Sequence, residues 1–295
     1  MIKKIINMMM KRGSVVAENK EHLQKLIYKE TRKKGYNCDL NHIDTSLIND
    51  MSRLFEESKF VGNISSWNTS NVENMNHMFA ESSFNGDISG WDVSKVENMS
   101  NMFYHSKFNN NISGWNTSRV NNMMSIFYHS KFNGDISAWN VSNVINMNFM
   151  FHSSQFNGDI SGWNTANVKS MYKMFALSKF NSNISGWNTS NVEDMNCMFQ
   201  SSEFNGDISQ WSTTSLLEMH GMFAESSFNG DISHWDVSNV KDMGYMLANC
   251  LAPVPYWAKI SNQEERKMAI DVFHSKQMLE QVLEKKSKNK SIVKI

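Results

Sequence analysis

Proline is almost missing from this chain: of 295 residues only Pro253 and Pro255 are prolines, so none interrupts the backbone before residue 253. Cysteine is scarce too. Cys38, Cys197 and Cys250 are odd in number, far apart and in no metal-type spacing, which argues against a disulfide framework or a paired-cysteine knuckle. No run of 18 apolar residues occurs, which excludes a membrane-spanning helix. No phosphate-cradling glycine loop and no HExxH helix is present. The expectation is a chain that is not an enzyme and uses no cofactor or metal. The start, Met1-Ile-Lys-Lys-Ile-Ile-Asn-Met-Met-Met-Lys-Arg, has a basic beginning, but Lys11-Arg12 closes its apolar run at a length too short for a secretory signal. Gly35-Tyr36-Asn37 ahead of Cys38 is not a lipoprotein cleavage site. Localisation stays open between the cell surface and the cytoplasm.

Net charge is also lacking, though the balance is one of segregation. Residues 39–250 hold 10 of the 29 basic side chains and 21 of the 29 acidic ones, leaving 19 basic and 8 acidic residues for the two flanks. An acidic body with basic ends excludes a nucleic-acid groove along that body, which would need the opposite sign.

What is abundant is regularity. Tryptophan recurs as Trp67, Trp91, Trp115, Trp139, Trp163, Trp187, Trp211 and Trp235, always 24 residues apart, without insertion or deletion. Phenylalanine recurs in two columns, Phe55 to Phe223 and Phe60 to Phe228, isoleucine from Ile64 to Ile232, and methionine from Met51 to Met243. The unit reads F-N-G-D-I-S-G-W-N-T-S-N-V-E-N-M-x-x-M-F-x-x-S-x, as in Phe84 to Lys107. A period of this size marks stacked units, each burying its apolar face against its neighbours. Leu40 and Ile43 take the isoleucine and tryptophan places of a first unit, and Leu247 breaks the last. We therefore divide the chain into a basic segment with a capping helix at 1–38, a solenoid of about nine 24-residue coils at 39–251, and a capping helix with a lysine-rich tail at 252–295.

Within each coil, Val96, Met99, Met102 and Phe103 are spaced as one face of a short helix, and Asp87 to Val93 alternates as a short strand after the Asn85-Gly86 turn. The expected class is an α/β repeat solenoid whose coils run turn, strand, turn and helix. The capping helices are placed at 14–34, stopped by Gly35, and at 261–284, opened by a Ser261/Glu264 capping box. The lysines at 285, 286, 288 and 290 are read as a frayed end.

The repeated run Phe-Asn-Gly-Asp-Ile-Ser-x-Trp-Asn/Asp-Thr/Val-Ser-Asn-Val-x-x-Met-x-x-Met-Phe resembles, over about 210 residues, the BspA-like repeat of bacterial surface proteins and lipoproteins. That resemblance implies a right-handed, leucine-rich-repeat-like module without catalysis, used for adhesion or protein contact at a bacterial surface.

Several columns invite chemistry. Asp87, Asp135, Asp159, Asp207 and Asp231 line up as a cation row would, yet Asn63, Asn111 and Asn183 interrupt them and the spacing is no known calcium loop, so they read as turn residues. The serine columns lack matching His or acid columns and read as backbone-bonded turn hydroxyls. Methionine at helical spacing beside Val and Phe reads as core, not as a soft-metal site. The tryptophans read as a buried structural ladder, because eight exposed indoles would make a large apolar patch.

One place departs from the pattern. Tyr104, Tyr128 and His152 share a column, His105 and His129 the next, and Lys107 and Lys131 follow two residues on. These seven residues are the expected binding patch for a protein or other macromolecule, within surface columns such as Glu81, His105, His129, Ser153, Leu177, Ser201 and Glu225 that vary from coil to coil. A second reading is a structural, self-associating cytoplasmic scaffold assembled through the terminal helices.

Overall fold

The computed structural model describes residues 14–292, with side chains to Lys285; the leader reading at residues 1–12 and the side chains of the lysines at 286, 288 and 290 fall outside it. The chain is a stack of coils. Isolated parallel bridges join Asp50, Asn74, Asn98, Asn122, Asn146, Ser170, Asp194, Glu218 and Asp242 in succession, one per coil, giving nine coils.

At the N-terminal end, β1 (Val15–Val16) pairs in parallel with β2 (Ile43–Asp44) of the first coil. Helix α1 (Lys20–Lys34) starts six residues later than the expected 14–34, because Val15 and Val16 are taken up by β1. Asn19 opens it, its Oδ1 accepting the His22 N–H at 2.9 Å. Arg32, Lys33 and Lys34 complement the dipole at its end, and Gly35 at φ 85° stops it as expected. Leu23 and Ile27, one turn apart, are buried in the core of the stack.

The coils contain no α-helix, which corrects the expected α/β alternation. Between Met75 and Ser82 the N–H groups divide. Met78, Ala80 and Ser82 close tight turns onto Met75, His77 and Phe79, while Met75, His77, Phe79 and Glu81 donate to Asn98, Ser100, Met102 and Tyr104 of the next coil at 2.7–3.0 Å. A helix would use every N–H within itself. The alternation is permitted because His77 and Glu81 are left-handed, φ 55° each, as are the equivalent residues of later coils such as Asn101 and His105. Such a residue costs roughly 1–2 kcal/mol when it has a side chain, which the inter-coil bonds offset. The apolar spacing that reads as a helix face is satisfied here because Met75, Met78 and Phe79 all turn inward and are fully buried.

The rest of the coil is a series of Asx turns. Asp87 accepts from the Ser89 N–H at 2.9 Å and from its hydroxyl at 2.7 Å, Asp92 from the Ser94 N–H, and Asn98 from the Ser100 N–H. The expected short strand forms in the first coil alone, as β2 at the register of Trp91 and Asp92; from Asp87 to Val93 and in the later coils the chain runs through turns instead. The turn reading of the Asn-Gly-Asp corner holds, and so does that of the serine column, where Ser82 Oγ accepts the Phe84 N–H at 3.1 Å.

The Ile, Phe, Trp, Val and Met columns fill one continuous core. All eight repeat tryptophans, Trp67, Trp91, Trp115, Trp139, Trp163, Trp187, Trp211 and Trp235, lie in it and are at most 4% exposed, as a buried ladder requires. Their rings are nearly parallel from coil to coil. Trp67 lies over Trp91, Trp115 over Trp139, Trp163 over Trp187, and Trp187 over Trp211, with centroids 6.3–6.4 Å apart in an offset stack. Trp211 and Trp235 continue it at 6.4 Å. Beside the ladder, Thr69 Oγ1 donates to the Asp92 carbonyl at 2.9 Å, and Val93 and Val141 fill the same column where no hydroxyl is present.

The C-terminal end is closed by a 3-10 turn (Tyr256–Lys259) and helix α2 (Gln263–Ile292), which starts two residues later and ends eight residues later than the sequence suggests. Asn262, not Ser261, caps it, its Oδ1 accepting the Glu265 N–H at 3.0 Å. Trp257 falls out of the 24-residue register yet is fully buried, its Nε1 donating to the Ser233 carbonyl at 3.3 Å. Arg266, 4% exposed, donates to the carbonyls of Val237, Val240 and Ile260. Its guanidinium fork saturates carbonyls at the end of the stack, where no further coil follows.

Candidate functional site

The inter-coil ladder that starts at each Met75-type position fixes which side chains reach solvent. Around the buried Met78 and Phe79, His77 is half-buried and Glu81 exposed, and the column of Ala80, itself buried, reaches the surface only where it carries a larger side chain such as Tyr104 or Tyr128. These outer columns change identity from coil to coil. The column of Ala80 holds Tyr104, Tyr128, His152, Ala176, Gln200 and Ala224, and that of Glu81 holds His105, His129, Ser153, Leu177, Ser201 and Glu225.

Because each coil repeats the backbone of the last, like side chains fall on one another. Tyr104 stacks on Tyr128 with centroids 4.8 Å apart and planes at 12°, and Tyr128 stacks on His152 at 4.7 Å and 10°. His105 stacks on His129 at 4.5 Å and 8°, tilted against Tyr104 at 4.7 Å. Five of the seven expected residues therefore form one strip. Lys107 and Lys131 are exposed beside it, but among the described residues neither ammonium lies over one of these rings.

The strip also extends past what the sequence indicates. Phe149 packs edge-on against Tyr128 at 5.9 Å and against Tyr172 at 4.9 Å, and it touches His152 at 5.7 Å. Lys173 Nζ stands over the Tyr172 ring at 5.4 Å, supplying the cation that Lys107 and Lys131 do not. Phe149 and Lys173 share the left-handed column of His77, with φ 58° and 52°. The available signal was an aromatic residue standing where neighbouring coils carry Asn101 and Ser125.

Electrostatics along the strip are set by burial. His152 is 8% exposed and its pKa is pushed down to about 4, chiefly by desolvation, then by His129 and Lys173. Its Nδ1 lies 2.9 Å from Ser153 Oγ. Burial and then His105 lower His129, while burial raises the Tyr104 phenol, with Tyr128 and Glu81 adding to it. At neutral pH the buried end of the strip is uncharged, an apolar-aromatic surface with hydroxyl and imidazole edges.

Elsewhere the acidic corner is a set of satisfied turns. The Ser89 N–H and hydroxyl hold the Asp87 carboxyl below its usual range, and the serines two residues after Asp135, Asp159, Asp207 and Asp231 do the same there. Among the described residues no group of three or more His, Cys, Asp or Glu is placed to hold a metal ion, and the three cysteines are free. No helix among them is long and apolar enough to cross a membrane.

Residues 22–131, 105–202 and 176–286 each match one family model, described as "Mycoplasma protein of unknown function, DUF285". No curated protein and no solved structure matches the chain. The three matched segments overlap and together take in the whole coil stack with most of both flanking helices, so the chain belongs to the DUF285 family of tandem-repeat proteins.

Proposed function

We propose that this chain is a non-catalytic binding module that recognises a protein or other macromolecule through the varied columns of its stack, with the strip from Tyr104 to Tyr172 as the contact. One observation carries this reading: the columns that build the core barely change along the chain, whereas the outer columns hold different residue types along the stack and gather stacked aromatic and imidazole rings in one place. Tyrosine and histidine presented on a rigid backbone offer contact area at little entropic cost. The acidic body disfavours nucleic acid as the partner. The BspA-like resemblance of the repeat supports adhesion at a cell surface and a leucine-rich-repeat-like descent.

The test is capture from host-cell and own-cell extracts with the intact chain and with a Tyr104→Ala, Tyr128→Ala, His129→Ser variant. Ala80, Ala176 and Ser153 occupy the same columns in other coils, so the substituted coils stay within the repeat pattern. The reading predicts that the variant keeps its circular dichroism and loses the captured partner. Equal capture by both would remove the strip from consideration.

A further inference from the structure

We infer that the outward face of α2 pairs in parallel with the same face of a second copy of this chain, a contact separate from the aromatic strip. The inner face of α2 is committed to the stack. Arg266 and Ile270 are buried there, Gln263 Nε2 donates to the Ser238 carbonyl at 2.9 Å, and His274 and Gln277 line a groove of about 460 Å³ against Gln210 and His234. The opposite face carries Met268, Val272, Ser275, Leu279 and Val282, spaced four, three, four and three residues apart. Met268, Val272, Leu279 and Val282 are 67, 69, 59 and 46% exposed, so no other part of the described chain covers them. A helix already docked along one side needs no second apolar stripe, and this one has the seven-residue period of a two-stranded coiled coil.

Charge chooses the occupant and its direction. With Val272 and Leu279 at the a positions and Met268, Ser275 and Val282 at d, Asp271 and Lys276 flank the stripe at g and e. In a parallel pair, Asp271 of each copy faces Lys276 of the other, twice by symmetry, in exchange for the long Lys276–Glu280 contact of 4.0 Å within one helix, and like residues meet in layers. An antiparallel pair would set Lys276 against Lys276 and Leu279 against Ser275. An anionic membrane is the other surface such a stripe could meet; of the charges the pairing uses or adjoins, Asp271 and Glu280 oppose that and Lys276 alone favours it. Docking by Arg266 and Ile270 holds the helix formed before pairing, which lowers the ordering cost of a contact only about two heptads long.

The experiment is sedimentation of the full chain from about 1 µM to about 500 µM, with Val272→Glu and Leu279→Glu variants, both at exposed sites that leave the fold intact by circular dichroism. We expect a concentration-dependent dimer that each variant abolishes. Ser275→Cys should form a reducible intermolecular disulfide on mild oxidation, with the wild-type chain under the same conditions as the control for its own cysteines. A chain that stays monomeric throughout, or a dimer that both glutamate variants leave intact, overturns the inference, and a dimer whose Ser275→Cys form does not crosslink overturns the parallel arrangement. Flotation with phosphatidylserine vesicles is run beside it: binding lost in Leu279→Glu by a chain that is otherwise monomeric assigns the stripe to lipid instead.

Discussion

The indole Nε1 of Trp139 donates to the main-chain carbonyl of Ile112 at 3.1 Å, in the coil before its own. The same bond runs from Trp67 to Leu40, Trp91 to Ile64, Trp115 to Ile88, Trp163 to Ile136, Trp187 to Ile160, Trp211 to Ile184 and Trp235 to Ile208, at 3.0–3.2 Å throughout. Each tryptophan thus packs within its coil and ties it to the preceding one. Trp139→Phe should remove one of two hydrogen bonds to the Ile112 carbonyl, which keeps the Trp115 N–H at 3.2 Å, and cost about 1 kcal/mol, and Trp139→Ala about 3–5 kcal/mol with the cavity added. Urea unfolding followed by circular dichroism measures both. A loss below about 1 kcal/mol for the alanine variant would mean the indole contributes little to the stack.

Leu177 distinguishes the turn ladder from a helix. Its φ is 57° and its side chain is 57% exposed, so little packing is lost on truncation. Leu177→Gly should be neutral or stabilising by up to about 1 kcal/mol, and Leu177→Val should destabilise by about 1–2 kcal/mol, because a β-branched residue fits the left-handed region poorly. In a helix the order would reverse, with glycine the more costly change.

His152 makes the stack acid-sensitive. Its folded pKa of about 4 lies below the ordinary 6.5, so the unfolded chain takes up a proton that the folded one refuses between those values. The stabilisation is complete above pH 6.5 and is lost as pH falls toward 4, about 3 kcal/mol at full loss. His152→Tyr, which continues the Tyr104 and Tyr128 column, should flatten that part of the pH profile in urea midpoints taken from about pH 7.5 to about pH 4. An unchanged slope would contradict the assignment.

Arg266 anchors α2 without any carboxylate. Arg266→Ala strips the side-chain donor from the Val240 and Ile260 carbonyls, while Val237 keeps the Val240 N–H, and should cost about 2–4 kcal/mol, read as rapid proteolysis within α2 while the coils stay resistant. Arg266→Lys should rescue little, since a single ammonium cannot span the three carbonyls.

Much of this was legible in the sequence. The tryptophan column announces a buried ladder because eight indoles in strict register would make a large apolar patch if exposed, and Asn-Gly-Asp and the serine column announce turns through chemistry internal to a few residues. The helix expected at Val96 to Phe103 failed because Met99, Met102 and Phe103 sit at spacings that serve a helix face and a run of tight turns equally well. What decides between them is the destination of the Met99 and Phe103 N–H groups, Asn122 and Ile126 of the next coil, which no local pattern encodes. The same gap explains the site. Tyr104, Tyr128 and His152 are found by column arithmetic, whereas Phe149 and Lys173 join them through contacts between different columns, which the 24-residue register alone does not pair.

Amide hydrogen exchange on the intact chain, with and without its captured partner, tests the binding strip most directly. Slowed exchange should be confined to the peptides around Asn101 to Lys107, Ser125 to Lys131, Phe149 to Ser153 and Tyr172 to Lys173. Protection centred instead on the Asx corners at Asp87, Asp135 and Asp159, with the aromatic strip unchanged, would contradict the assignment of the strip as the contact.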